Sequence, residues 1–180
     1  MLLLRSLCAA LFLLSAFLWI SHAQVNKAPI HRVAPEFSLP TLDGKILKLA
    51  DLKGSVILLE FFQTGCTNCQ VAAPKLESLY RAYKNQGFMV VAVSFDAPNG
   101  SFAERARIVG SFIKQHGLTY PVLLGDGAIW INYIQKPGFN SPFVVFIDRR
   151  GQIVAQIEEG PDHKACDIVF LENQVKDLLK

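Results

Sequence analysis

The chain opens on an apolar run of 14 residues, Leu7–Ile20, preceded by Arg5 and followed by Ser21-His22-Ala23. A membrane-spanning helix needs roughly 18 to 20 apolar residues. The run is shorter and small residues follow it, so 1–23 reads as a secretory signal peptide cleaved near Ala23, with a retained membrane anchor as the alternative. Segment 24–34 has no apolar periodicity and reads as a flexible lead-in, leaving 35–180 as the folded domain.

Within that domain the apolar positions follow two rhythms. Phe37–Leu39 and Ile46–Leu49, joined across Asp43-Gly44, predict a small hairpin, because a DG turn supplies the positive φ that tight turns need. Val56–Phe62 is almost continuously apolar and predicts a central strand buried on both faces, with Glu60 its one charged member. From Thr67 to Gln86, residues Ala72, Ala73, Leu76, Leu79, Tyr80 and Tyr83 recur at helical spacing, across Pro74 and up to a left-handed stop at Gly87. Phe88–Phe95 is a second buried strand. Ser101 with Glu104 forms a capping box that opens a helix closed by Gly117. Pro121–Leu124 predicts a third strand, 128–134 a short helix, Phe143–Ile147 and Gln152–Ile157 a hairpin across Arg150-Gly151, and 162–179 a last helix. Strands alternating with helices predict an α/β domain whose mainly parallel sheet is covered on both faces, with an antiparallel edge from the closing hairpin.

Composition adds constraints. At 180 residues one domain is expected, with a core large enough to need no disulfide staples. Lys and Arg number 18 and Asp and Glu 15, a net charge of +3, with no charge block or repeat. Nothing in that pattern suits nucleic acid. Of four cysteines, Cys8 lies within the leader. Three cysteines remain in the domain, an odd number that excludes a disulfide scaffold and points to a reactive thiol.

Cys66-Thr67-Asn68-Cys69 follows the buried strand and opens a helix. There the sulfur of Cys66 faces unsatisfied amides and the positive end of the helix dipole, a setting that favours thiolate. Cys69, one turn on, is within disulfide reach. Cys66 is therefore the expected attacking thiol and Cys69 the shielded resolving one. A structural disulfide closing so short a loop would add little stability. A zinc set of Cys66, Cys69, His163 and Cys166 has the right ligand types, yet a secreted domain with a full core has little need of it. Neither a metal nor another cofactor is expected. Cys166, beside Ile168, Val169 and Leu171, reads as a buried spectator thiol, with a third redox role as the alternative.

Pro35-Glu36-Phe37, the DG hairpin, CTNC after a buried strand, and Ser141-Pro142 before Phe143-Val144-Val145-Phe146-Ile147-Asp148 together resemble exported thioredoxin-like proteins of the TlpA/ResA type, over about Pro35 to Ile157. The resemblance implies a thioredoxin fold with an added N-terminal β-hairpin, and thiol-disulfide oxidoreductase activity in an extracytoplasmic compartment such as a periplasm. It implies that Pro142 is cis and faces the cysteines, holding Ser141 beside Cys66 where a substrate segment can add as a strand. Thr67 and Asn68, between the cysteines, would meet the same substrate. Glu60 matches the buried acid of thioredoxins, implying a raised pKa and a role as acceptor of the Cys69 proton; its alternative is a structural carboxylate paired with a lysine. The implied partners are a protein disulfide substrate, in a setting such as cytochrome c maturation, and a membrane electron donor. A monomer and a reductant are expected.

The chain also departs from that pattern. Gly65 replaces an aromatic residue, Thr67-Asn68 carries no proline or histidine, and Ala72 stands where ResA-like reductases often carry glutamate. Two other functions share elements of the pattern. A Sco-type copper chaperone places its cysteines one residue further apart. A peroxiredoxin places threonine three residues before its cysteine, where this chain has Gln63.

Overall fold

The computed structural model describes residues 31–135, 137–138 and 140–180. The expected signal peptide and residues 24–30 lie outside them. Twelve strands and α-helices follow in order among the described residues: β1 (Arg32–Val33), β2 (Ser38–Pro40), β3 (Ile46–Lys48), β4 (Val56–Phe62), α1 (Thr67–Tyr83), β5 (Phe88–Ser94), α2 (Phe102–His116), β6 (Val122–Leu124), α3 (Gly127–Ile129), β7 (Phe143–Ile147), β8 (Gln152–Glu158) and α4 (Ile168–Leu179). The main sheet runs β1-β8-β7-β4-β5-β6, and β2 and β3 pair separately. β4 is parallel to β5 and antiparallel to β7; β5 and β6 are parallel.

All seven residues of β4 are buried. Period two divides them between two cores. Val56, Leu58 and Phe62 pack with Ala73 and Leu76 of α1, Val109 and Phe112 of α2, and Leu171 and Val175 of α4. Ile57, Leu59 and Phe61 pack with Phe37, Leu39, Ile129 and Tyr133. The three long helices thus cover one face, while the leading hairpin and the segment around α3 cover the other. The hairpin also reaches the outer strand, where Thr41 bridges Leu123. It shields an edge that would otherwise present unpaired backbone groups.

Four segments differ from the sequence reading by more than one residue or in type. Arg32–Val33, expected within a flexible lead-in, is a strand paired with β8, a contact between distant residues that no local pattern announces. The helix at 67–86 ends at Tyr83 and tightens into a 3-10 turn, Lys84–Gln86, before Gly87 turns left-handed at φ 83°. The short helix at 128–134 is one turn of α3 followed by a π-helical turn, Trp130–Ile134, whose Tyr133 hydroxyl donates to the carbonyl of Pro35 at 2.6 Å. The last helix begins at Ile168, capped by Asp167, and not at Asp162. Residues 160–167 instead form turns, with His163 at φ 50°.

Gly125, just beyond β6, donates its N–H to the carbonyl of Ser94 at 2.9 Å. A Cβ there would stand 2.7 Å from Val93 Cγ1 and 2.9 Å from Phe95 Cε1. Gly125→Ala should therefore lower stability by about 1–3 kcal/mol, read as an earlier urea midpoint at unchanged slope; an unchanged midpoint would show that this corner has room.

Candidate active site

β4 ends at Phe62, and the turn that follows is held from the tip of β5. Thr64 donates its N–H to both Asp96 carboxylate oxygens at 3.1 and 3.0 Å and its hydroxyl to the same group at 2.7 Å. Ser94 Oγ donates to that carboxylate at 2.7 Å. The turn closes with Cys66 N–H donating to the Gln63 carbonyl at 3.1 Å. Cys66 then becomes the N-cap of α1 in an extended conformation, and its Sγ accepts the N–H of Cys69 at 3.2 Å. The first cysteine thus occupies the place where a helix presents free amides and its positive end.

Across from the helix start, Ser141–Pro142 is a cis peptide. The Ser141 carbonyl accepts from the Cys66 thiol at 3.3 Å, and Ser141 Oγ lies 3.1 Å from Cys69 Sγ. One serine therefore touches both sulfurs. Cys66 is half-buried, Cys69 has no exposed surface, and both are free thiols. Burial, then the hydrogen bond with Cys66, pushes the Cys69 thiol far above its ordinary value. The pair is thereby divided into a reachable sulfur and a shielded, protonated one.

Glu60 is 2 % exposed and, by the strand's alternation, lies on the helix-bearing face with Cys69. Burial raises its carboxyl from 4.5 to about 8. A charge on Glu60 also raises Cys69, so the two sense each other. Desolvation is the cause of that shift, and among the described residues no lysine pairs with Glu60.

Of the two residues between the cysteines, Thr67 is exposed and Asn68 is half-buried, its Nδ2 donating to Glu159 Oε1 at 3.2 Å. Glu159 Oε1 also meets His163 Nδ1 at 2.5 Å. The Cys166 thiol donates to the Asn68 carbonyl at 3.5 Å, and burial followed by the charge of Glu159 pushes it up to about 12. Among the described residues no group of three His, Cys, Asp or Glu side chains converges as metal ligands would. A cleft lined by Cys66, Asn68, Asn140, Ser141, Glu159 and Gly160 opens beside the Cys66 sulfur. The hydroxyl contact of Ser141 and the whole of Glu159 escape the sequence reading. An acidic residue before Gly160-Pro161 has the look of any solvated turn.

The family model for the AhpC/TSA family matches residues 30–156. The chain belongs to the AhpC/TSA family. It is 33% identical over 135 residues to thiol-disulfide oxidoreductase ResA of Bacillus anthracis, covering 75% of this chain and 73% of that protein. With ResA of Bacillus subtilis the identity is 35% over 122 residues, covering 67% of this chain and 63% of that one. A crystal structure of a thiol:disulfide interchange protein of the thioredoxin family from Chlorobium tepidum superposes with a TM-score of 0.70 at 25% identity, over 83% of this chain and 97% of that one. A thiol:disulfide interchange protein from Bacteroides sp. gives 0.65 at 25%, over 84% and 91%. Within the AhpC/TSA family this chain is thus a thiol-disulfide oxidoreductase with a thioredoxin-like fold, as the TlpA/ResA resemblance implies.

For this AhpC/TSA member, Glu60 makes stability depend on pH with a definite sign. Its folded pKa lies above its unfolded one, so the stability held by the neutral carboxyl is complete below about pH 4.5 and is lost as pH rises through about 8. Glu60→Gln removes that loss. Its stability relative to wild type should grow with pH by up to about 1.4 kcal/mol per unit between about pH 5 and pH 8, measured by urea unfolding; parallel curves would place the carboxyl in water.

Proposed function

We propose that this protein is exported and reduces disulfides in other proteins outside the cytosol through Cys66 and Cys69. The observation that carries the reading is the asymmetric contact of one serine with both sulfurs, one reachable from solvent and one not. The Cys66 thiolate attacks a substrate disulfide and forms a mixed disulfide, while the substrate's other sulfur leaves as a thiolate and takes a proton. Cys69 then gives its proton to ionised Glu60, attacks Cys66 Sγ, and closes the Cys66–Cys69 disulfide as the second substrate sulfur departs reduced. The buried pair never carries more than one negative charge, which suits two groups that repel each other.

The substrate segment lies along Ser141 and Pro142 in the cleft beside Cys66, with Thr67 and Asn68 on its other side. Two electrons must then return to the pair from a donor. With the protein outside the cytosol, that donor is a membrane protein. The apolar leader 1–23 with its small residues before Gln24 supports export, and cleavage near Ala23 would free the folded domain from it. No helix among the described residues is long and apolar enough to cross a membrane. Maturation of cytochrome c, whose cysteines must be reduced to take haem, is a fitting setting for such a reductant.

Cys69→Ser should accumulate a mixed disulfide with substrate proteins through Cys66, seen as reductant-sensitive bands on non-reducing gels, while Cys66→Ser should trap none. Equal trapping by the two variants would overturn the division of roles.

A further inference from the structure

Residues 159–167 brace the start of α1 from outside the sheet. The Glu159 N–H donates to the Pro142 carbonyl at 3.1 Å, which extends the β7–β8 pairing by one residue, next to Phe143 opposite Glu158. From that anchored backbone the Glu159 side chain, in a residue only 4 % exposed, reaches Asn68 Nδ2. Asn68 is held again at its carbonyl by the Cys166 thiol, and the Cys166 carbonyl accepts Lys75 Nζ at 3.0 Å. The first helical turn, which carries both sulfurs, is therefore tied to the segment that carries Ser141, just ahead of β7. Glu159 Oε2 is buried without a hydrogen-bond partner among the described residues.

We propose that Glu159 is a positioning residue of the dithiol pair, a clip between Pro142 and Asn68 that holds the turn bearing Cys66 and Cys69 against Ser141 in the arrangement favouring the reduced state. The proposal rests on the assignment of Cys66 and Cys69 as the exchanging pair. In the dithiol, Cys66 donates to the Ser141 carbonyl and Cys69 contacts Ser141 Oγ. Closing the disulfide removes two electrons and two protons from the pair, delivered to an oxidised thiol reagent, and ends the Cys66 donation. Contacts made only by the dithiol stabilise only the dithiol. Loosening the clip lets the turn drift from Ser141 and weakens them, so the equilibrium moves toward the disulfide and the pair becomes more reducing.

The test equilibrates the purified protein and its Glu159→Ala, Asn68→Ala, double and Glu159→Gln variants in dithiothreitol buffers of defined ratio. Alkylation and mass spectrometry then measure the Cys66–Cys69 disulfide, and thermal melting is followed in parallel. Glu159→Ala and Asn68→Ala should each shift the equilibrium about three- to tenfold toward the disulfide, as expected for one hydrogen bond, a tenfold shift corresponding to about 30 mV. The double variant should shift no further than either single one, since both cut the same link. Glu159→Gln, which keeps an acceptor for Asn68, should recover most of the shift. A wild-type equilibrium in Glu159→Ala or Asn68→Ala, with only the melting temperature lowered, would reduce Glu159 to a structural role and overturn the clip. Additive singles, or a Glu159→Gln shift equal to that of Glu159→Ala, would also overturn it, the latter by assigning the effect to charge. If Glu159→Ala does not fold, Asn68→Ala alone decides by the same threshold. A wild-type protein that forms no Cys66–Cys69 disulfide would overturn the parent reading, and the clip with it.

Discussion

Everything at this site depends on β4 being clamped on both sides within the sheet. Its seven residues pair residue by residue with β5 and, over Ile57–Phe61, with β7, and all are buried. That double pairing fixes the strand's register, and a slip of one residue would exchange its two cores. Because the register is fixed, two chemical consequences follow. Glu60 must lie inside, on the face covered by α1, and Cys66 must emerge four residues beyond Phe62, where the helix begins. The fold thereby imposes the buried acid and the exposed sulfur together.

The second constraint is that β7 runs antiparallel to β4, so its beginning lies at the end of the sheet where β4 finishes. Ser141 and Pro142, just ahead of β7, are carried to the sulfurs by this topology. A short helix-start segment and a strand-start segment thus meet across the cysteine pair, though 75 residues separate Cys66 from Ser141. The contacts are few, and each involves a group with a defined direction. Ser141 offers a carbonyl to the exposed thiol and a hydroxyl to the buried one, while the amide of Cys69 points back at Cys66. Such an arrangement needs bracing from behind, and the turns from Glu159 to Asp167 lie where that bracing is required.

Most of this was legible in the residues. A seven-residue apolar run, a cysteine pair one turn apart and a capped, Gly-ended amphipathic helix each have local causes, and they yielded β4, α1 and α2 with little error. The order of strands and helices followed from the alternation of the two periods. What stayed hidden depended on partners far along the chain. β1 exists because Arg32 and Val33 meet β8, and a two-residue strand has no period to read. The last helix starts at Ile168 and not at Asp162 because residues 160–167 form the turn that binds Asn68 and Lys75, more than 90 residues earlier. Glu60 could be singled out because a charge in an apolar strand contradicts its neighbours. Glu159 could not, because a buried carboxylate beside a Gly-Pro turn looks like a solvated one until the fold is closed.

The most direct measurement of the central claim is a disulfide map of the purified protein after exposure to a glutathione buffer set from reducing to oxidising, by differential alkylation and peptide mass spectrometry. A single two-electron transition is expected, in which Cys66 and Cys69 join and separate together, while Cys166 stays a thiol that is alkylated only after unfolding. A disulfide that includes Cys166, or a Cys66 and Cys69 that never join, would contradict it.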